Sequence, residues 1–357
     1  TPNSGKYFDN KNPATNKVIS RVACGDKTDV ENAYKAANKA LPEWKALTPE
    51  KRGSYLIKMA DELEKRKNEF AMLESRDNGK PAWLALLVDV SGAVKMLRQH
   101  AGACNHETSE SVVGRPDAMH MVQYAPIGVC GIITPWNYPL YLFLGKIAPA
   151  IVYGNCVVAK PAELTPMTAY LMTSIFDAVK LPPGVVNVVQ GFGREAGQAI
   201  CEHPGIRAVS FTGGTVTGRK VNQACATTFK KVNLEMGGKN VSIICDDVNI
   251  DEAVTNSSKA GFSNQGEICI CGSRIYIQEK IYDTFVKKFI QHTKTYWIPK
   301  VGNPLDKGIM MGSLISLPHR NKVKSYVEIA KNEGGTIECG GTIPNLKGDN
   351  KNGAFFL

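Results

Sequence analysis

Between residues 128 and 235 the sequence repeats one unit, an apolar strand followed by a turn and a helix, and this repeat constrains the fold most. Helical stretches separate the first four strand candidates. The five candidates are GVCGIIT (128–134), NCVVAK (155–160), GVVNVVQ (184–190), IRAVSFT (206–212) and KKVNLE (230–235). Continuous β-branched runs with helices between them indicate a parallel sheet covered on both faces. The sequence therefore predicts an α/β domain of Rossmann-like type.

Helices precede this repeat, and a second α/β unit follows it. Residues 29–80 have helical spacing, and one helix is expected to begin with Thr48 as the cap and Pro49 in its first turn. Residues 111–127 alternate like strands around a Gly-Arg-Pro turn, which predicts an extended hairpin arm. The later expectations are strands at 241–247 and 274–278, a turn-strand-turn at 334–341 and a strand in the final GAFFL, and helices at 251–262, at 280–294 and near Pro318.

Composition limits the class of protein. A chain of 357 residues with 43% hydrophobic content is expected to form two domains. Its net charge is +10, but the lysines are dispersed and aromatic residues are not interleaved with them, so an anionic substrate or cofactor is favoured over nucleic acid. No run of eighteen apolar residues predicts a membrane span.

Ten cysteines are scattered along the chain without the spacing of a small disulfide-rich scaffold. This pattern, with no visible signal peptide, indicates a reducing compartment. We expect the cytoplasm. The mitochondrial matrix is the alternative, because the sequence starts with Thr rather than Met and a transit segment could precede it.

Five polar or glycine-rich features follow the strand candidates directly: TPWN (134–137), KPAE (160–163), GFG (191–193), GGTVTG (213–218) and EMGGKN (235–240). Right-handed crossovers bring the carboxyl ends of parallel strands to one edge, where ligands bind. GGTVTG presents backbone N–H groups and a helix N-terminus to a phosphate, although tight turn geometry alone explains such glycines equally well.

The KPAE turn offers a cation and an anion. Glu163 could accept hydrogen bonds from ribose hydroxyls and would repel a 2′-phosphate, which favours NAD over NADP. Lys160 could bond to the same ribose. A solvated surface turn is the alternative interpretation.

Two cysteines one residue apart, Cys269 and Cys271, lie in the loop-like stretch FSNQGEICICGSR. They could hold a metal, form a disulfide, fill space or attack a substrate. No second ligand pair or nearby histidine accompanies them, so no metal site is predicted, and a disulfide between them would be strained. The residues alone leave space-filling and nucleophilic attack open.

Taken in series, the motifs resemble the aldehyde dehydrogenase superfamily over essentially the whole chain. Within the superfamily, NQGEICIC and WNYPLYLFLGKIAPA are most similar to the branch that acts on 2-aminomuconic and 2-hydroxymuconic semialdehydes. The motifs that carry the resemblance, in the family's order, are TPWNYPL, GNCVVAKPAELTP, PPGVVNVVQGFG, SFTGGTVTG, LEMGGKN and NQGEICICGSR.

The resemblance implies NAD-dependent oxidation of a small-molecule aldehyde to a carboxylic acid through a cysteine thiohemiacetal and thioester. It implies that Cys269 is the nucleophile, Glu235 the general base and Asn137 a donor to the developing alkoxide. Taken singly, Asn137 could instead cap a helix and Glu235 could be a surface carboxylate at a strand end. Among cofactor contacts it implies Trp136 and Lys160, with Gly213 and Gly218 in the turn below the pyrophosphate.

The resemblance also implies the domain plan. Residues 1–110 and 128–236 form the NAD-binding domain, 111–127 an oligomerisation arm of a homodimer or homotetramer, and 237–357 a second, catalytic α/β domain. The family's pattern continues past the point that matches GAFFL, so we expect either a longer protein or one that has lost that part. A catalytically impaired relative with a binding or structural role is the alternative function.

Overall fold

The computed structural model describes residues 1–106 and 108–355, and its N-terminal part is a hairpin followed by helices. Thr48 caps the second helix by accepting a bond from the N–H of Lys51, and Pro49 lies in the first turn, as predicted. Gly79, with φ of 94°, ends the third helix in a left-handed conformation that glycine adopts without steric cost. The elements are β1 (Tyr7–Lys11), β2 (Val18–Ala23), α1 (Lys27–Ala46), α2 (Pro49–Lys65) and α3 (Lys67–Asn78).

A longer helical stretch then packs across α2. It consists of α4 (Ala82–Leu84), a π-helical segment (Ala85–Val90) and α5 (Ser91–Ala103). An antiparallel hairpin follows, formed by β3 (Ser111–Arg115) and β4 (Ala118–Met121), and it lies within the predicted arm at 111–127.

The predicted parallel sheet is confirmed. Five strands pair in the order β7-β6-β5-β8-β9, every neighbouring pair parallel. Helices lie between the strands in sequence, and their apolar faces and the buried strands share one core. The strands are β5 (Val129–Ile133), β6 (Cys156–Lys160), β7 (Val186–Val188), β8 (Ile206–Gly213) and β9 (Lys231–Met236); the helices are α6 (Pro139–Val152), α7 (Met167–Ala178), α8 (Gln198–Glu202) and α9 (Thr215–Ala226).

The direction of winding reverses at β5. The chain moves outward on one side through β6 and β7, then returns to pair β8 with the other side of β5. Ligands of open α/β sheets bind beside such a reversal, at the carboxyl ends of the strands. The turn after β5 begins at Thr134, and β8 ends at Gly213, so TPWN and GGTVTG both lie at this reversal.

The predicted second α/β unit is also present. Two parallel strands, β10 (Val241–Ile244) and β11 (Arg274–Ile277), pair over a small core that includes Val254 and Phe285. Its helices are α10 (Ile250–Phe262), α11 (Tyr282–His292) and α12 (Leu317–Asn332).

Two strand predictions were wrong. The strand expected between two turns in residues 334–341 is absent, since these residues form turns and irregular structure, and residues 353–355 of the final GAFFL are not a strand either. A strand requires a partner for its N–H and C=O groups, and neither segment pairs with a strand in the described part of the chain. Residues 356 and 357 lie outside the described residues. Every helix within residues 1–106 and 108–355 is too short or too polar to span a bilayer.

Candidate active site

Asn137 lies just beyond β5, and the main chain on both sides of it is held by side chains from distant parts of the sequence. The amide of Asn78 donates to the Trp136 carbonyl at 2.7 Å. The Asn137 carbonyl accepts from Lys80 Nζ at 2.8 Å and from Asn264 Nδ2 at 3.1 Å. The position of Asn137 is therefore fixed by contacts from the end of α3 and from the loop that contains Cys269.

The Asn137 side chain faces that loop directly. Its Nδ2 donates a 2.8 Å bond to the carbonyl oxygen of Glu267, two residues before Cys269. Tyr138 is also close to the loop: burial raises the pKa of its phenol, and the charges of Asp89, Cys269 and Cys271 raise it further. The end of β5 and the Cys-x-Cys loop thus form one site.

The cysteine loop has an unusual backbone. Asn264 and Gln265 have φ of 49° and 58°, and Gly266 follows with φ of 76°. Left-handed conformations of non-glycine residues cost on the order of 1 kcal/mol or more each and persist where the surroundings fix them. The bonds from Asn264 Nδ2 to the Asn137 carbonyl and from the Glu267 N–H to the Asn264 carbonyl (2.9 Å) supply that constraint.

The two cysteines have different environments. Cys271 is buried, and its Sγ lies 3.1 Å from each of the carbonyl oxygens of Ala260 and Gly261. Cys269 is exposed. Cys271 therefore behaves as a small packing residue, whereas the thiol at 269 is accessible to a substrate.

Glu235 lies at the carboxyl end of β9, exposed, with Thr212 as its partner in β8. The chain after it reaches the cysteine loop: a Cβ at Gly238 would lie 3.0 Å from the Cys269 carbonyl, and Asn240 Nδ2 donates to that carbonyl at 2.8 Å. The ends of β5 and β9 therefore contact the same loop, on either side of Cys269.

Lys146 of α6 lies within electrostatic range of Glu235. Its Nζ donates to Ser210 Oγ at 2.8 Å. Burial lowers the pKa of Lys146, and the charge of Glu235 opposes that shift, so the carboxylate lies within electrostatic range of the ammonium.

Lys160 and Glu163 form an ion pair of 3.2 Å at the end of β6. Lys160 is buried and also donates to the carbonyls of Pro161 (2.8 Å) and Gly191 (3.1 Å). Burial lowers the pKa of Lys160 and the charge of Glu163 raises it. The three bonds show that Lys160 braces Glu163 and two loops, while the Glu163 carboxylate is partly exposed.

The glycine-rich turn after β8 leads directly into α9. A Cβ at Gly213 would lie 2.4 Å from the Phe211 ring, and one at Gly218 would lie 2.8 Å from Met236 Sδ, so a side chain at either position would displace a neighbour. A Cβ at Gly214 would have no atom within 4 Å. Gly214 precedes α9, and no side chain caps the first N–H groups of this helix.

Trp136 was predicted to contact the cofactor. Its half-buried ring makes an edge contact with His319 of α12, with 5.2 Å between ring centroids. The cofactor roles of Trp136, Lys160, Glu163, Gly213 and Gly218 remain predictions.

Sequence reasoning missed a buried carboxyl beside the cysteine. Glu267 Oε1 accepts from the Ile315 N–H at 3.2 Å and lies 3.5 Å from His319 Nε2, while Oε2 has no hydrogen-bond partner among the described residues. Burial raises the pKa of Glu267 to about 8. Nothing in the local pattern distinguishes this glutamate from a solvated one, because its cover comes from residues about fifty positions later in the chain.

Comparison with known proteins identifies the family. The profile described as "Aldehyde dehydrogenase family" matches residues 1–357, the whole of this sequence. The chain belongs to the aldehyde dehydrogenase family. This confirms the resemblance drawn from the motifs.

Several relatives of this aldehyde dehydrogenase are closely similar. Human 2-aminomuconic semialdehyde dehydrogenase is 43% identical over 354 residues, which are 98% of this chain and 72% of that protein. Chicken (Gallus gallus) aldehyde dehydrogenase 1A1 is 42% identical over 342 residues, 95% of this chain and 67% of that protein.

Solved structures agree in fold. PnpE from Pseudomonas sp. WBC-3, in its structure with nicotinamide adenine dinucleotide, is 37% identical to this chain with a TM-score of 0.96. The alignment covers 99% of this chain and 72% of the PnpE chain. A putative aldehyde dehydrogenase from Burkholderia cenocepacia gives the same identity, coverage and TM-score. The predicted fold class is thereby confirmed.

Proposed function

We propose that this chain oxidises an aldehyde to a carboxylic acid with NAD, using Cys269 as the nucleophile. One observation carries the assignment of residues: the bond from Asn137 Nδ2 to the Glu267 carbonyl places a side-chain donor against the loop that contains the exposed thiol. The contacts of Gly238 and Asn240 with the Cys269 carbonyl bring the Glu235 end of β9 to the same loop.

The first step uses Cys269 and Asn137. The thiolate adds to the aldehyde carbon, a carbon–sulfur bond forms, and the carbonyl oxygen becomes an alkoxide. An amide has two N–H donors; one of Asn137's is directed at the Glu267 carbonyl, and the other is assigned to the alkoxide together with the Cys269 main-chain N–H. Such donors stabilise the charge that develops during addition.

The second step uses Glu235. Bound NAD supplies the acceptor for the hydride of the former aldehyde carbon. The acyl group then remains on Cys269 as a thioester. Glu235 removes a proton from a water molecule that attacks this thioester, and the carboxylic acid leaves as the thiol is restored.

The residues at the strand ends fit the cofactor. The partly exposed Glu163 is assigned to the ribose hydroxyls, and its charge opposes a 2′-phosphate. The uncapped start of α9 at Gly214 is assigned to the pyrophosphate. Trp136 and Lys160 complete the proposed contacts, Lys160 through its bond to Glu163.

We assign residues 1–110 and 128–236 to the NAD-binding domain, 237–357 to the catalytic domain, and 111–127 to an oligomerisation arm. Apolar side chains on the arm support the last assignment: Met119, Met121 and Tyr124 are 66%, 69% and 68% exposed. A homodimer or homotetramer in which these side chains are covered is the proposed assembly. Light scattering of the purified protein tests it, since a monomer would contradict the assignment.

The proposed substrate is a semialdehyde of the 2-aminomuconic or 2-hydroxymuconic type. Overall identity does not decide this, because relatives named for 2-aminomuconic semialdehyde and aldehyde dehydrogenase 1A1 are about equally similar, at 43% and 42%. The local stretches NQGEICIC and WNYPLYLFLGKIAPA support it. A comparison of kcat/KM for 2-hydroxymuconic semialdehyde, propanal and retinal tests the choice; a clear preference for propanal or retinal would contradict it.

We further propose that the protein works in the cytoplasm, with the mitochondrial matrix as the alternative. Its ten cysteines are free thiols, which suits a reducing compartment.

The activity test is direct. Purified protein, NAD and an aldehyde panel are expected to produce NADH, and Cys269→Ala is expected to abolish the signal. Cys245→Ala is the matched control, because Cys245 is also an exposed free thiol but lies at the end of β10. NAD binding without turnover by the unsubstituted protein would overturn the proposal in favour of a binding role.

A further inference from the structure

Lys80 has a buried ammonium group that donates to the main-chain carbonyl of Asn137, the proposed oxyanion donor. Its side chain is fully buried, at 0% exposure. Its Nζ donates to Asp89 Oδ1 at 3.0 Å, to Asp89 Oδ2 at 2.9 Å and to the Asn137 carbonyl at 2.8 Å. The Tyr138 ring lies 4.1 Å from the same nitrogen. An ammonium has three N–H donors, and three oxygen acceptors surround this one.

Asp89 is the ion-pair partner of Lys80, because both of its carboxylate oxygens accept from the Lys80 ammonium. A second buried carboxyl, Glu74, lies nearby, and its Oε1 accepts from the Leu140 N–H at 3.1 Å, in the first turn of α6. Burial raises the pKa of Glu74 well above its ordinary value, and the charge of Asp89 adds to the effect. With two N–H groups of Lys80 bonded to Asp89, the third is directed at the Asn137 carbonyl.

The turn that carries Lys80 is itself rigid. The Lys80 N–H donates to Asn78 Oδ1 at 3.2 Å, and Ser75 Oγ donates to the Lys80 carbonyl at 2.6 Å. A Cβ at Gly79 would lie 2.8 Å from the Ser313 carbonyl, and Pro81 restricts the backbone of the residue before it. Lys80 therefore contacts Asn137 from a fixed position at the end of α3.

The two donors to the Asn137 carbonyl come from different parts of the chain. Asn264 belongs to the cysteine loop, and so does the Glu267 carbonyl that accepts from the Asn137 side chain. Lys80 belongs to the helical part that packs on the parallel sheet. Without Lys80, the residue at 137 would still be bonded to the cysteine loop, but its carbonyl would lose its contact with the rigid helical part.

We propose that Lys80, neutralised by Asp89, is a positioning residue for the reaction: it fixes the Asn137 carbonyl and so orients the Asn137 carboxamide toward the substrate oxygen. This inference rests on the proposed function, because it acts through Asn137. Misplacement of a catalytic group by about 1 Å can cost on the order of 100-fold in rate. The pair therefore affects turnover as well as stability.

The variant that tests this is the double substitution Lys80→Met/Asp89→Leu. Removal of one partner alone would leave a buried charge unpaired and destabilise the fold, whereas apolar replacement of both partners is often tolerated. We expect kcat per titrated Cys269 thiol to fall about 10- to 100-fold. The KM for NAD and the KM for the aldehyde are expected to change little, because ground-state binding does not use the Asn137 carboxamide. An unchanged kcat with a lowered Tm would overturn the proposal, since it indicates a structural role alone.

A double-mutant cycle with Asn137→Ala distinguishes an effect that acts through Asn137 from a disturbance of the whole active site. If Lys80 acts through Asn137, the pair substitution has no further effect on kcat in the Asn137→Ala background. An equal fold-loss in both backgrounds would contradict the proposal. An Asn137→Ala protein as active as the unsubstituted one would instead overturn the proposed function, and the role of Lys80 with it.

A conservative variant keeps the buried charge and tests the geometry alone. Lys80→Arg keeps a cation against Asp89, but its planar guanidinium directs its donors differently, so kcat is expected to fall about tenfold; unchanged turnover would contradict the proposal.

Lys230→Met is the matched control for the loss of a buried lysine. This lysine is 9% exposed, and its Nζ donates to the carbonyls of His203 (2.6 Å) and Ile206 (2.8 Å) at the far end of β9. It is expected to lower Tm and leave kcat per titrated thiol unchanged; an equal kcat loss here would overturn a specific role for Lys80.

Discussion

The side-chain amide of Asn137 donates a 2.8 Å hydrogen bond to the main-chain carbonyl of Glu267, across 130 positions of sequence. This bond joins the end of β5 to the loop that contains Cys269. Because the same loop also contacts Gly238 and Asn240 beyond β9, it brings the predicted nucleophile, oxyanion donor and general base into one region.

The bond predicts a selective effect of Asn137→Ala. Removal of one oxyanion donor typically costs about 100- to 1000-fold in kcat, and we expect a loss of that size with a nearly unchanged dissociation constant for NAD. Stopped-flow kinetics and calorimetric NAD titration measure the two quantities. Equal losses in kcat and in NAD affinity would indicate that the whole site had collapsed.

The different burial of the two neighbouring thiols predicts different reactivity. Iodoacetamide is expected to modify Cys269 and leave Cys271 unmodified in the folded protein, because only the former is exposed. Peptide mass spectrometry after brief labelling measures this. Faster modification of Cys271 would indicate that Cys271, rather than Cys269, is the accessible thiol.

Glu267 predicts a pH-dependent stability. Its pKa rises from 4.5 to about 8 because folding buries the carboxyl. Between these values the folded state retains a proton that the unfolded state has lost, so this group's contribution to stability is full below pH 4.5 and is lost as the pH rises through 8. Glu267→Gln is neutral at every pH, and we expect it to be increasingly more stable than the parent as the pH rises from 6 to 9.

Thermal unfolding of the two proteins across that pH range measures the difference. Asp77, whose pKa burial raises to about 7, titrates in both proteins and cancels in the comparison. A Tm difference that does not vary with pH would contradict the burial of a titrating carboxyl at 267.

Glu163 predicts the choice of cofactor. Glu163→Gln removes the negative charge that opposes a 2′-phosphate and keeps an oxygen acceptor for the buried Lys160. The ratio of kcat/KM for NAD to that for NADP is expected to fall about tenfold or more, since removal of an unfavourable charge contact relaxes specificity. Steady-state kinetics with both cofactors measure it; an unchanged ratio would assign the selectivity to other residues.

The sequence was most informative where a signal is local. β-branched runs predicted all five strands of the parallel sheet, although β7 is only Val186–Val188 where a run over 184–190 was expected. The start of α2 could be predicted from two neighbouring residues alone, the cap Thr48 and the proline that follows it. The features that follow the strands could be predicted to meet at one edge, because parallel topology alone brings strand ends together.

Other features could not be predicted because they depend on distant residues. The segment GGTIECGG (334–341) suggested a short strand between two turns, but a strand also requires a partner, and none pairs with it in the described structure. Lys80 gives no local sign that it contacts Asn137, 57 positions away. The burial of Glu267 depends on Ile315 and His319, which fold over it from a later segment.

The proposed mechanism requires that Cys269 becomes acylated and that Glu235 is needed to release the acyl group. Both requirements are tested by mixing Glu235→Gln with NAD and a substrate aldehyde, followed by intact-mass and peptide mass spectrometry. We expect a burst of about one NADH per Cys269 thiol and an acyl adduct on the peptide that contains Cys269. Turnover at the parent rate without an adduct, or an adduct on another residue, would overturn the mechanism.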